Sequence, residues 1–133
     1  MADTLKASVA GFVTFIVLDG LWLGVVMRNF YRAQLASIAR MANGALAPIW
    51  PVAALVYVLM AIGAAVFVVP RATSAGSAAG LGALFGLVSF GIYDLTNYST
   101  LTEWPLAMTL TDIGWGMTTF AVGCVIAWAV AGR

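Results

Sequence analysis

From Ile49 to Val69 the chain carries no charged side chain. A helix over that run can cross a bilayer, which takes about 20 mostly apolar residues for about 30 Å of hydrocarbon. Three further stretches meet the same requirement: Ser8 to Met27, interrupted only by Asp19; Ala75 to Tyr98; and Pro105 to Ala131. In hydrocarbon, backbone N–H and C=O groups must find partners within the chain, so such runs are helices rather than open strands. The expected fold is all-α: one domain over residues 1–133, an integral membrane bundle of four transmembrane helices over 8–27, 49–69, 75–98 and 105–131. Pro48 and Pro51 lead the second span, where a first helical turn tolerates them.

Composition excludes a soluble alternative. The chain is 63% hydrophobic and 8% charged, against about 45–50% and about 25% in ordinary soluble domains. A soluble domain this small leaves too much surface in water to hide that excess. Membrane lipids are therefore expected partners. A net charge of +1 supplies no basic field for nucleic acid. Histidine is absent, which removes the commonest metal ligand, and no metal site is expected. The single cysteine, Cys124, lies in an apolar run and reads as a small packing hydrophobe. Lys6 and the following "ASVAGFVTFIVLDG" have the flavour of a signal peptide. The apolar run continues through "LWLGVVM" with no small-residue cleavage site, so it is expected to stay as the first span.

The longest connection is "RNFYRAQLASIARMANGALA", from Arg28 to Ala47. Phe30, Tyr31, Leu35, Ile38 and Met41 recur in it at helical spacing. That suits a continuation of the first helix, or an interfacial helix, ended near Asn43-Gly44. Four spans place the first and third loops on one face, here the first-loop face. Both termini and the second loop occupy the other, the terminal face. Arg28, Arg32 and Arg40 then balance Lys6, Arg71 and Arg133, so the positive-inside rule assigns no orientation. On the third span Gly82 and Gly86 form one row of small residues, and Ala75, Ala79 and Ala83 form another. Both rows suit close helix packing.

The acids are the informative residues. Counted from the span ends, Asp19, Asp94 and Asp112 lie roughly 12, 6 and 10 Å inside the first-loop face at about 1.5 Å rise per residue. Three helices thus bring acids to one half of the membrane, and the other half has none. Asp19 heads "DGLWLG" and Asp112 heads "DIGWG", so each has a tryptophan three positions on, Trp22 and Trp115. That step keeps each pair on one helix face. The two pieces run oppositely along the membrane normal, and are too short to constitute an inverted repeat. Tyr93, Asp94 and Asn97 gather on the third helix in the same way.

An aspartate at a helix centre costs about 2.5–3.5 kcal/mol on insertion scales, so acids in a span mark a functional site by default. The bland counterpart is neutralisation, with Arg28 or Arg32 reaching Asp94 or Asp112 across the bundle. Trp22, Trp104, Tyr31 and Tyr98 alone fit an interfacial aromatic belt. Trp115, deeper and beside two glycines, fits a pocket. Catalytic templates fail: there is no histidine for a triad, no phosphate-binding glycine loop and no thiolate cluster. Carboxylates could hold a hard cation such as Mg²⁺, with Arg28, Arg32 and Arg40 as a phosphate clamp.

"FIVLDGLWLGVVMRNFYRAQL", "GALFGLVSFGIYDLTNYSTLTEWPL" and "TDIGWG" resemble the small bacterial membrane proteins grouped as domain of unknown function 2177, over nearly the whole chain. The resemblance implies a four-helix integral protein of a bacterial inner membrane and supplies no reaction, cofactor or ligand. It matches Asp19, Trp22, Tyr93, Asp94, Asn97, Asp112 and Trp115 to the family pattern, and these are the candidate ligand-binding residues. Three functions are open. The first is a binder or carrier of a small cation, proton or amphipathic solute, for which four short helices imply a homo-oligomer. The second is an accessory or structural subunit with a paired polar cluster. The third is a lipid- or isoprenoid-modifying enzyme.

Overall fold

The computed structural model describes residues 1–132; Arg133, counted above for the terminal face, lies outside them. Four long apolar helices form an all-α membrane bundle. Helix α1 spans Ala2–Leu21 and runs on as a π-helical turn, Trp22–Val26. It begins a turn and a half before the expected Ser8, because Asp3 and Lys6 pair at i,i+3 (3.7 Å) on an exposed first turn.

A short helix α2, Arg28–Leu35, follows a break at Met27. The first-loop helix therefore ends well before Asn43-Gly44. Those two residues instead turn a small antiparallel hairpin, β1 (Met41–Ala42) with β2 (Ala45–Leu46). Positive φ at both, 51° and 74°, explains the choice: a two-residue turn of this hand suits Asn-Gly. Helix α3 spans Trp50–Gly63 and continues through a π-helical turn, Ala64–Val68, and a 3₁₀ turn, Val69–Arg71. Helix α4 covers Ala75–Thr100, capped by the Ser74 hydroxyl, which accepts from the Ser77 N–H at 3.1 Å. Helix α5 covers Leu106–Val130.

In contact order the helices run α3, α1, α5, α4. The Ala64–Val68 turn touches α1, α4 and α5 together, so all four helices converge toward the terminal face. There Phe15, Ala64, Val68, Phe120 and Cys124 form the core, with the Phe15 and Phe120 rings 4.9 Å apart. The α4–α5 seam is tighter still. A methyl group on Gly82 would sit 2.5 Å from the Phe120 carbonyl oxygen, and one on Gly86 would enter the Gly116 backbone. The Gly82–Gly86 row thus does what small residues do in lipid, letting two backbones touch. The alanine row does not reach that seam: Ala75 is exposed and Ala79 and Ala83 are half-buried.

Toward the first-loop face α3 leans away. From Trp50 to Leu59 every residue is exposed except Ala53 and Tyr57, whereas most of 60–69 is buried. Several hydroxyls in the spans return to their own helix, Thr14 donating to the Ala10 carbonyl, Ser89 to Phe85 and Thr118 to Gly114, while the buried Thr119 hydroxyl has no partner among the described residues. Lipid offers them no other acceptor.

Candidate functional site

Antiparallel geometry sets the site. Helix α1 runs toward the first-loop face and α5 runs away from it, so Trp22 lies shallower than Asp19, and Asp112 shallower than Trp115. At the deep level the Trp115 Nε1–H donates to Asp19 Oδ1 at 2.6 Å. At the shallow level the partners are bridged. Trp22 Nε1–H donates to the Tyr31 hydroxyl at 3.1 Å, and that hydroxyl donates to Asp112 Oδ1 at 2.6 Å. Each indole therefore serves the acid of the other helix. Between the two levels the indoles lie face to face, with centroids 4.2 Å apart and planes 1° from parallel.

Tyr31 is the one buried residue of α2. Its ring packs on Trp104 and Met108 and meets Phe30 edge-on. Burial, reinforced by the Asp112 carboxylate it bonds, holds this phenol well above its usual range. It therefore stays a donor.

Asp94 completes the cluster from α4, and it differs from the other two acids. It is fully buried, and neither carboxylate oxygen has a hydrogen-bond donor among the described residues. Its near neighbour is the Asp112 carboxyl, and no hydrogen bond joins the two. A carboxylate only accepts, so two such groups bond each other only when one carries a proton. Asp112 also lies near Asp19, as does the Tyr57 hydroxyl of α3. Tyr93 and Asn97 stand within reach of each other at the rim, Tyr93 exposed and Asn97 half-buried.

The alternative, neutralisation by arginine, does not occur among the described residues. Arg28, Arg32 and Arg40 are all exposed, and Arg32 donates to the Gly44 carbonyl at 3.1 Å. Among the described residues the only ion pair is Asp3–Lys6, at the other end of α1. Long cationic side chains at a membrane boundary turn outward to water, and these do. No group of three or more Cys, Asp or Glu side chains among the described residues is arranged to hold a metal ion.

The aromatic belt also needs correction. Tyr31 and Trp104 are buried, and Trp22 is half-buried; of the four, Tyr98 alone is exposed. The belt fails because α2 folds back over the ends of α1 and α5 and covers these rings. Three residues of the polar cluster were not among the candidates: Tyr31, Tyr57 and Trp104. A phenol within the otherwise apolar 49–69 run was a signal for Tyr57. Trp104 looked like a belt residue, yet its Nε1–H is buried and has no acceptor among the described residues.

Four apolar spans and an intramembrane acid cluster define a polytopic membrane protein whose helices contact lipid. Comparison with protein families matches residues 4–129 to the family described as "Predicted membrane protein (DUF2177)". The chain belongs to that family. Among curated proteins none matches, and no solved structure does either.

Proposed function

We propose that the protein binds a positively charged or proton-donating group, whether a proton, a small cation or the head of an amphipathic solute, at Asp94 beside Asp112. One observation carries this reading. Among the described residues Asp94 is a fully buried carboxyl with no donor to either oxygen, next to a second carboxyl and in no ion pair. A buried acceptor pair left in that state is costly, and a bound proton or cation removes the cost. Asp19 and Asp112 already have strong donors in Trp115 and Tyr31. They frame the site, and Asp94 is the group left to bind.

The position of the site bears on carriage. Below it, the Gly82 and Gly86 seam and the Phe15–Phe120 core close the terminal-face half against water. A single copy in this conformation is a one-sided binder, so the carrier form of the reading requires a second copy or a second conformation. Helical spans are the architecture of an inner rather than an outer bacterial membrane, and an inner-membrane location belongs to the same proposal. The structural-subunit reading has support of its own in the crossed Trp–Asp bonds, which hold α1 to α5. It gives no role to Asp94.

The test uses the purified protein in nanodiscs. The stacked Trp22 and Trp115 lie beside the acids, so their emission reports occupancy. Titration with H⁺, Na⁺, K⁺, Mg²⁺ and an alkylammonium should give a saturable change with at least one of them in the wild type, lost in Asp94→Asn. Responses that are identical in wild type and Asp94→Asn would remove the proposal.

A further inference from the structure

Asp94 offers a buried acceptor with no space beside it. The residue is 0% exposed, so no void the size of a water molecule adjoins it. The open hollow at the α4–α5 connection is lined by Tyr98, Ser99, Thr102 and Trp104, and Asp94 is not among its walls. The carboxyl meets side chains instead. Asp112 of α5 is its near neighbour, and Tyr31 of α2 lies close enough to sense its charge. Tyr93 stands next to it on α4; Asp19 of α1 lies near Asp112, and Tyr57 of α3 near Asp19. Among the described residues none of these three acids is in an ion pair.

Size decides between the ligands open to such a group. Mg²⁺ takes octahedral oxygen ligands at about 2.0–2.1 Å and keeps several of its waters. An ammonium head group is at least as large as a water molecule. Neither has room at Asp94. A proton needs none, because it sits on the carboxyl oxygen itself. Burial acts in the same direction, since a carboxyl that is neither solvated nor paired is neutralised rather than kept charged. The acids also differ in what a negative charge would meet. Asp19 accepts from the Trp115 indole and Asp112 from the Tyr31 hydroxyl, each at 2.6 Å. Asp94 accepts from nothing among the described residues. A single proton on the Asp94–Asp112 pair therefore belongs on Asp94.

We infer that the ligand of the site is a proton alone, held on the Asp94 carboxyl as a neutral acid, and that metal ions and amine head groups are refused for want of room. This rests on the reading of Asp94 as the binding group and narrows it to one ligand. Binding forms one O–H bond on Asp94 and breaks one in a hydronium ion at the first-loop face, the half in which the acids lie. The cluster loses one negative charge, and no counter-ion moves.

The test is infrared spectroscopy of the full chain in phosphatidylcholine nanodiscs, made with isotope-labelled aspartate and titrated with H⁺ in the presence of Na⁺, K⁺, Mg²⁺ or ethylammonium. Wild type should show the carbonyl stretch of a protonated aspartate at neutral pH. Asp94→Asn should lose that band and Asp19→Asn should keep it. Asp94→Glu should exchange it for an unlabelled one, which separates loss of the acid from loss of the fold. None of the four cations should move the pH at which the band disappears. A cation competing for Asp94 would lower that pH by about one unit for each tenfold rise in its concentration once the site is filled. Such a shift would overturn the inference and leave the Asp94 reading standing. A band that survives Asp94→Asn and vanishes in Asp112→Asn would put the proton on the neighbour and overturn it too. Absence of the band at neutral pH would have the same result. If tryptophan emission then also responds identically to every probe in wild type and Asp94→Asn, the reading beneath it falls as well.

Discussion

The two halves of the bundle are built on opposite terms. In the terminal-face half the four helices converge, glycine lets α4 and α5 touch backbone to backbone, and the buried side chains are almost all apolar. In the first-loop half α3 leans out, and three acids, three tryptophans and Tyr31 occupy the space between α1, α4 and α5. The first half has no acid cluster to satisfy and is held mainly by contact, with one side-chain bond from the Trp128 Nε1–H to the Ala72 carbonyl at 3.2 Å. The second is held by a few directional bonds, and it leaves two buried groups without partners. Packing supplies the rigid base, and the polar half can then keep an unsatisfied carboxyl without unfolding. Natural proteins commonly concede stability at sites of function in this way.

Four substitutions break or sharpen that contrast, from the largest expected effect to the smallest. Gly86→Val drives a branched side chain into the Gly116 backbone. Overpacking costs about 1–3 kcal/mol where neighbours can yield, and backbone yields least, so this variant should show the lowest melting temperature in detergent. A value equal to wild type would mean that the seam is not what holds the base. Trp115→Phe removes the indole donor to Asp19, a buried acceptor. The expected loss is about 1–3 kcal/mol, read by thermal unfolding.

Tyr31→Phe cuts the link from α2 to Asp112 and should cost about 1 kcal/mol. Its clearer readout is local. Amides of Arg28–Leu35 should exchange faster, with those of α4 and α5 unchanged. The same variant carries a pH signature. The phenol sits above its ordinary value of 10.0 in the folded state, so its contribution is complete at neutral pH and is lost as pH rises past that value. Wild type should therefore lose more stability than Tyr31→Phe between neutral and strongly alkaline pH. Parallel pH curves would argue against the buried bond. Asp94→Asn should have the smallest effect, within about 0.5 kcal/mol of wild type or slightly stabilising, because no protein donor is lost. A large loss of stability would show Asp94 to be a structural partner after all.

Much of this was legible in the sequence. The four spans follow from apolar length, and the shared depth of Asp19, Asp94 and Asp112 follows from helical rise. The D-x-x-W spacing placed each acid and indole on one face. Their crossing was not legible, because it depends on how α1 and α5 are rotated and slid against each other, and a three-residue step says nothing about that. The arginines misled for a simple reason: closeness to the boundary in sequence does not choose between turning inward to an acid and outward to water. Trp104 and Tyr31 were assigned to the lipid boundary because composition marks aromatic residues there. Only the return of α2 across the bundle end hides them. The small-residue rows divided for a similar reason, since the Gly82 and Ala79 rows share a spacing and only rotation decides which one meets α5.

The crossed Trp–Asp bonds have a consequence for assembly. Between two apolar helices in lipid, sliding one along the other changes little buried area, so contact alone defines their axial alignment poorly. Here two bonds at two depths, one direct and one through Tyr31, are made at the same offset. Moving α1 by one helical turn, about 5.4 Å, would break both at once and part the stacked indoles as well. The two short motifs thus work as a vernier that gives α1 and α5 one setting during insertion, and that setting fixes the depth at which Asp94 meets its neighbours.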